Sequence, residues 1–222
     1  PATNTFAYAA TASTIGASSF QVPVRTSSGD THKLVFIANA SSSISNVVNA
    51  FSAVTTESEA TELLIYSMNI PFDITKSILM WGQTKPSVIT EGMDISNLYL
   101  KKTDGVCFLR TLSRINIHVN AGNFRINSVA VYKANTEAAL VPFSSNLNTD
   151  KTGVTTPSIP ATSSLSNTPW NYVLTADEKN NNAVVNRIYI PESKAISSPA
   201  DTELPGSTCV VVGGFYAGGT TE

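Results

Sequence analysis

The stretch Leu112-Ser113-Arg114-Ile115-Asn116-Ile117-His118-Val119 decides the fold class. Its apolar side chains at Ile115, Ile117 and Val119 alternate with polar ones, the period-2 pattern of a strand with one dry face and one wet face. On either side lie more short β-branched and aromatic runs, separated by Gly, Asn, Asp, Ser and Pro. The expected strands are Phe20 to Arg25, Lys33 to Asn39, Ile78 to Trp81, Val88 to Thr90, Leu98 to Lys101, Val106 to Val119, Phe124 to Ala134, Val184 to Ile190 and Thr208 to Phe215. Such spacing predicts an antiparallel β-sandwich. The turn-rich Thr26-Ser27-Ser28-Gly29-Asp30 predicts that the first two runs form a hairpin. Val210-Val211-Val212 is apolar on both faces, which suits a central strand or a face awaiting a partner.

Two segments break this pattern. Ile44, Val47, Val48 and Phe51 fall at helical spacing after Ser43, an expected N-cap. Thr56 to Leu64 predicts a second helix, with Glu57 and Glu59 in the first turn where the dipole favours acids. Thr149 to Pro169 is a long periodless loop and an expected protease target. No repeat or linker divides the 222 residues, so one domain spanning 1–222 is expected.

The composition narrows the function classes. With 42% hydrophobic residues the chain has material for a core, and with 14% charged residues its polar surface rests on Ser and Thr, about a quarter of the chain. A net charge of -2 and a pI near 5.7 offer no cationic face for nucleic acid or anionic membrane. Pro1 to Ala10 has no basic region followed by an apolar one, so any export signal is expected to be gone already.

Chemical motifs are sparse. His32 and His118 are the two histidines, and neither belongs to a metal-ligand spacing, so surface imidazoles are expected. No nucleophile elbow, P-loop, GxGxxG or HExxH is present, and Asp73, Asp94 and Asp104 are scattered at turns; no enzyme and no cofactor are expected. Cys107 and Cys209 sit in apolar runs without a CxxC, leaving buried thiols or a disulfide open. Trp81 and Trp170 suit buried plugs better than a sugar-stacking platform. Asn39-Ala40-Ser41 matches a glycosylation sequon.

Five segments in order carry a resemblance. They are Lys33-Leu34-Val35-Phe36-Ile37-Ala38-Asn39-Ala40, Arg110-Thr111-Leu112-Ser113-Arg114-Ile115-Asn116-Ile117, Phe124-Arg125-Ile126-Asn127-Ser128-Val129-Ala130-Val131 with Pro142 beyond, Ile188-Tyr189-Ile190-Pro191-Glu192, and Cys209-Val210-Val211-Val212-Gly213-Gly214-Phe215-Tyr216. Together they resemble the N-terminal domain of the fimbrillin family, the subunits of Bacteroidales type V pili. The chain lacks the family's early Leu-x-Val-x-Val-Phe strand and its second sandwich with an Arg-Asn-x-x-Tyr segment, so it looks like one domain of a longer subunit.

The resemblance implies an all-β, transthyretin-like antiparallel sandwich of about seven strands with one or two short helices. It implies a non-enzymatic structural subunit of an exported, outer-membrane-associated cell-surface fimbria. Assembly would follow removal of an N-terminal strand after a basic residue, with a neighbour's strand filling the groove. Its partners would be other fimbrial subunits, together with host or bacterial surface proteins or glycans. A tip adhesin or carbohydrate-binding module on the same sandwich is the alternative. Leu34, Phe36, Val210, Val212 and Phe215 are expected to line the groove, because they lie in apolar strands near the two ends. Val212→Asp is then expected to block polymerisation and leave a soluble monomer.

Overall fold

The computed structural model describes residues 4–14, 20–21, 25, 29–68, 72, 77–90, 106, 108–147, 154–194 and 207–217. In chain order the strands are β1 (Ser13–Thr14), β2 (Phe20–Gln21), β3 (Thr31–His32), β4 (Val35–Ala38), β5 (Ile65–Ser67), β6 (Met80–Gln83), β7 (Ser87–Val88), β8 (Leu109–Arg110), β9 (Ser113–His118), β10 (Phe124–Tyr132), β11 (Glu137–Ala139), β12 (Trp170–Tyr172), β13 (Ala183–Ile190) and β14 (Cys209–Tyr216). Three α-helices intervene among the described residues: α1 (Ser41–Asn49), α2 (Glu57–Leu63) and α3 (Ala176–Asn181). Strands in several antiparallel sheets with few helices make this an all-β protein. Leu98 to Lys101, Cys107, Asp73, Asp94 and Asp104 lie outside the described residues.

The contacts gather into two compact units, each assembled from three separated segments. Unit 1 comprises 1–65, 79–110 and 139–156; unit 2 comprises 66–78, 111–138 and 157–222.

In unit 1, β4 pairs with β6 and β6 with β8, while β3 pairs with β7 and β1 with β2. The expected hairpin between Phe20 to Arg25 and Lys33 to Asn39 is therefore not what the described strands form. β4 is apolar on successive residues and lies instead beside β6, whose Trp81 is 3% exposed. β6 is buried at Trp81, Gly82 and Gln83, so it offers β4 an interior partner. At the end of β4, Asn39 adopts a left-handed φ of 67°, and α1 starts directly after Ala40. The helix thus begins ahead of the expected Ser43 cap, because the chain has already turned. Ile44, Val47, Val48 and Phe51 are half-buried, as a helical stripe requires. Thr56 caps α2 through a reciprocal capping box with Glu59.

In unit 2, β10 is the centre of a three-stranded sheet between β12 and β14, and β13 pairs with β9. The alternation expected for residues 112–119 is seen: Ile115 and Ile117 pack against the core, while Arg114, Asn116 and His118 are exposed. The expected strand from Val106 to Val119 breaks at Thr111 and Leu112, both buried, which separate β8 from β9. The core gathers Val129, Val131, Trp170, Val184 and Ile188 with Leu112, Ile126 and Tyr189. Asn182 ends α3 in the left-handed region at φ 55°.

The loop before β12 is periodless as expected, yet it is pinned. Ser158 and Pro160 are buried, Leu165 bridges to Asn135, and Ser158 N–H donates to the Glu192 carboxylate. Those anchors tie down Ser158, Pro160 and Leu165, while Pro157, Ala161, Thr162 and Ser164 stay exposed.

Candidate functional site

The feature that stands out is the side of β14 turned away from β10. β14 runs for eight residues at one edge of its sheet, and among the described residues no strand pairs with its outer side. At roughly 3.4 Å per residue such an edge is about 27 Å long. Half of its backbone N–H and C=O groups point away from β10, a row that another strand could satisfy. The sequence Cys209-Val210-Val211-Val212-Gly213-Gly214-Phe215-Tyr216 contains no charge and no proline.

Strand alternation divides the side chains. Val210 and Val212 pack against the core, opposite Val131 and Val129. Val211, 48% exposed, and Phe215, 67% exposed, fall on the opposite face, and Tyr216 at the strand end is also exposed. Phe215 stands opposite Arg125, and Gly213 opposite Ser128. A Cβ on Gly214 would lie 2.2 Å from the Arg125 carbonyl oxygen, so this close approach of backbones requires glycine. A bulge in β10 between Ile126 and Ser128 adds local twist beneath the glycines.

The five residues expected to line a groove separate into two sets. Leu34 and Phe36 belong to unit 1, and Val210, Val212 and Phe215 to unit 2. Leu34 exchanges hydrogen bonds with Thr84: its N–H donates to Oγ1, and its carbonyl accepts from the Thr84 N–H, both at 3.0 Å. The Phe36 ring tilts against Phe108 at 6.2 Å between centroids. Within the second set, Phe215 faces away from the two valines. Sequence reasoning missed Val211, whose exposure follows from the same alternation that buries its neighbours.

The polar interior of unit 2 is unevenly satisfied. Trp170 and Tyr172 stand on the same face of β12, and the indole Nε1 and the phenol hydroxyl have no hydrogen-bond partner among the described residues. Burial pushes the Tyr172 hydroxyl up to about 12, opposed by the nearby Arg187 charge. Burial also raises the Glu192 carboxyl above its ordinary range, against the opposing hydrogen bond from Ser158 N–H. Glu178 feels burial most, yet hydrogen bonds from Arg187 and Thr175 and the Arg187 charge hold it below the ordinary value.

The remaining candidates disperse. Trp81 and Trp170 are both buried, which leaves neither indole as a sugar platform. His118 is exposed; His32 is half-buried, with its Nε2 lacking a partner among the described residues. Cys209 is a free, half-buried thiol. Among the described residues, no group of three or more His, Cys, Asp or Glu converges, and no helix is long and apolar enough to cross a membrane.

No protein-family model, curated protein or solved structure matches this chain.

Proposed function

We propose that this chain is a structural subunit of a cell-surface fimbria, built as a transthyretin-like β-sandwich and assembling by accepting an extended strand from a neighbour. The observation that carries the reading is the uncharged eight-residue edge of β14 with Val211 and Phe215 exposed beside it. Strand addition satisfies an edge's backbone groups by main-chain hydrogen bonds and takes its specificity from alternate side chains. Covering the exposed side chains of Val211, Phe215 and Tyr216 at roughly 1.5–3 kcal/mol each gives a gross gain of about 5–9 kcal/mol before ordering costs. The chemistry is binding and support, without a catalytic residue.

The test is assembly of the purified chain, before and after limited trypsin digestion, followed by electron microscopy and by the ladder that survives unboiled detergent electrophoresis. The expected result is a growing ladder, absent in the Val211→Asp/Phe215→Asp double variant, whose monomer keeps its circular dichroism because both sites are exposed. Val212→Asp, by contrast, places a charge against the core and unfolds unit 2. A wild-type chain that stays monomeric under both conditions refutes the proposal.

A further inference from the structure

Unit 1 holds a nucleophile that the assembly reading does not use. The Lys33 side chain is 7% exposed and forms an ion pair with Glu57 Oε1, whose own side chain is 21% exposed. The second oxygen of that carboxylate, Oε2, accepts a hydrogen bond from Asn4 Nδ2 at 2.7 Å. One carboxylate therefore holds a buried primary amine on one oxygen and a primary amide on the other.

The segment that brings Asn4 there is fixed by backbone contacts. Glu57 N–H donates to the Asn4 carbonyl at 2.9 Å, Phe6 N–H donates to the Thr55 carbonyl at 2.8 Å, and Thr5 bridges Thr56. The Phe6 ring packs edge-on against Phe51 at 5.2 Å. Asn4 itself is exposed, which gives a small leaving group a path to solvent.

From this juxtaposition we propose that Lys33 and Asn4 form an intramolecular isopeptide bond, with Glu57 as the proton-transfer group. Burial disfavours separated charges, so proton transfer from the ammonium to Glu57 yields a neutral amine. The Nζ lone pair then attacks Asn4 Cγ, and the carbonyl electrons move to oxygen. On collapse the bond from Cγ to Nδ2 breaks, and Glu57 delivers protons to the nitrogen that it already contacts. Nζ ends with one hydrogen, the leaving nitrogen departs as ammonium with the two protons that Nζ gave up, and Glu57 ends as a carboxylate. No oxidant or co-reactant enters. Amide aminolysis is slow between free molecules, and holding the groups together is what removes that obstacle. The bond would staple residue 4 to the β3–β4 connection beside the start of α2, independently of how the chain assembles.

The experiment is mass spectrometry of the full chain and its tryptic peptides. The expected wild-type chain is lighter by one ammonia, and its digest contains a branched peptide joining the Asn4 segment to an uncleaved Lys33. Lys33→Arg, which keeps the ion pair but cannot attack in this way, Glu57→Gln and Asn4→Ala are each expected at full mass. A wild-type chain at full mass overturns the proposal. Loss of ammonia without a branched peptide also overturns it, because asparagine cyclisation alone gives that mass. Loss of water instead assigns the crosslink to a carboxyl and removes Asn4 as the acceptor. A branched peptide in Glu57→Gln removes Glu57 from the step.

Discussion

Replacing Asn182 by alanine tests how the sheet beneath β14 is held. Asn182 is buried at the end of α3, and its side chain spans two other elements. Oδ1 accepts from the buried Ile126 N–H at 2.7 Å, and Nδ2 donates to the Phe124 carbonyl at 2.7 Å and the Val119 carbonyl at 3.3 Å. Removing the side chain orphans the Ile126 N–H, at about 1–3 kcal/mol, and costs about 0.5–1 kcal/mol for each carbonyl that loses its donor. Alanine must also hold the left-handed backbone that asparagine tolerates, at about 1 kcal/mol. The sum is about 3–6 kcal/mol.

Glycine loses the same bonds without the backbone strain, so Asn182→Gly should be milder than Asn182→Ala by about 1 kcal/mol. Asn182→Asp keeps an acceptor for Ile126 but turns an oxygen toward two carbonyls, so its protonated form is favoured in the native state. Its stability should therefore be greatest below the ordinary carboxyl range and fall as pH rises. The assay is equilibrium denaturation together with hydrogen exchange of peptides covering residues 119–132. An alanine variant within about 1 kcal/mol of wild type, or a glycine variant no milder, would refute the reasoning.

Tyr172→Phe removes a buried hydroxyl that has no partner among the described residues, and should stabilise the chain by about 1–3 kcal/mol in denaturant titration, since it ends an uncompensated desolvation. The raised Tyr172 value means that the native state holds the phenolic proton more tightly; its contribution is complete below about 10 and is lost as pH rises through about 12, a step that the phenylalanine variant should lack. Glu192→Gln keeps an acceptor for Ser158 N–H and removes a carboxyl whose native value is raised, so stability that wild type loses as pH climbs through that raised value should be retained in thermal melts. Thr175→Ala removes the hydroxyl that caps α3, where Glu178 completes the capping box, and should cost about 1 kcal/mol by chemical denaturation.

The sequence was most legible where side-chain period dictates burial. Ile115, Ile117 and the exposed residues between them follow from alternation alone, α1 follows from helical spacing, and α2 from Glu57 and Glu59 placed in a first turn. The failures have a common cause in tertiary partnering. β4 could pair with any apolar strand, and local turn residues do not reveal that its partner is β6. The short helix α3 escaped because Ala176-Asp177-Glu178-Lys179-Asn180-Asn181 has no apolar stripe; its signal is the Thr175 and Glu178 capping pair. At the assembly site, β14 itself was evident, but its outward face required knowing that β10 packs Val210 and Val212 inward. Lys33, Glu57 and Asn4 are too far apart in the chain for any spacing rule to join them.

The other strand edges explain why β14 is the one to consider for assembly. Natural proteins blunt exposed edges with charge, short length, proline or irregular backbone. β9 carries Arg114 and His118, and β13 is interrupted where Asn186 adopts φ 60° beside Arg187. Side chains also occupy that irregular stretch: Asn186 N–H donates to Asn116 Oδ1, and its own Oδ1 accepts from Arg114. β12 has three residues, follows Pro169 and is succeeded by Val173, whose carbonyl accepts from Arg187. In unit 1, β4 has four residues and ends at the left-handed Asn39, and β8 has two and ends on Arg110. Among the described strands β14 combines an edge position with length, neutrality and a regular backbone, the properties that a strand-accepting edge needs and an idle one is safer without.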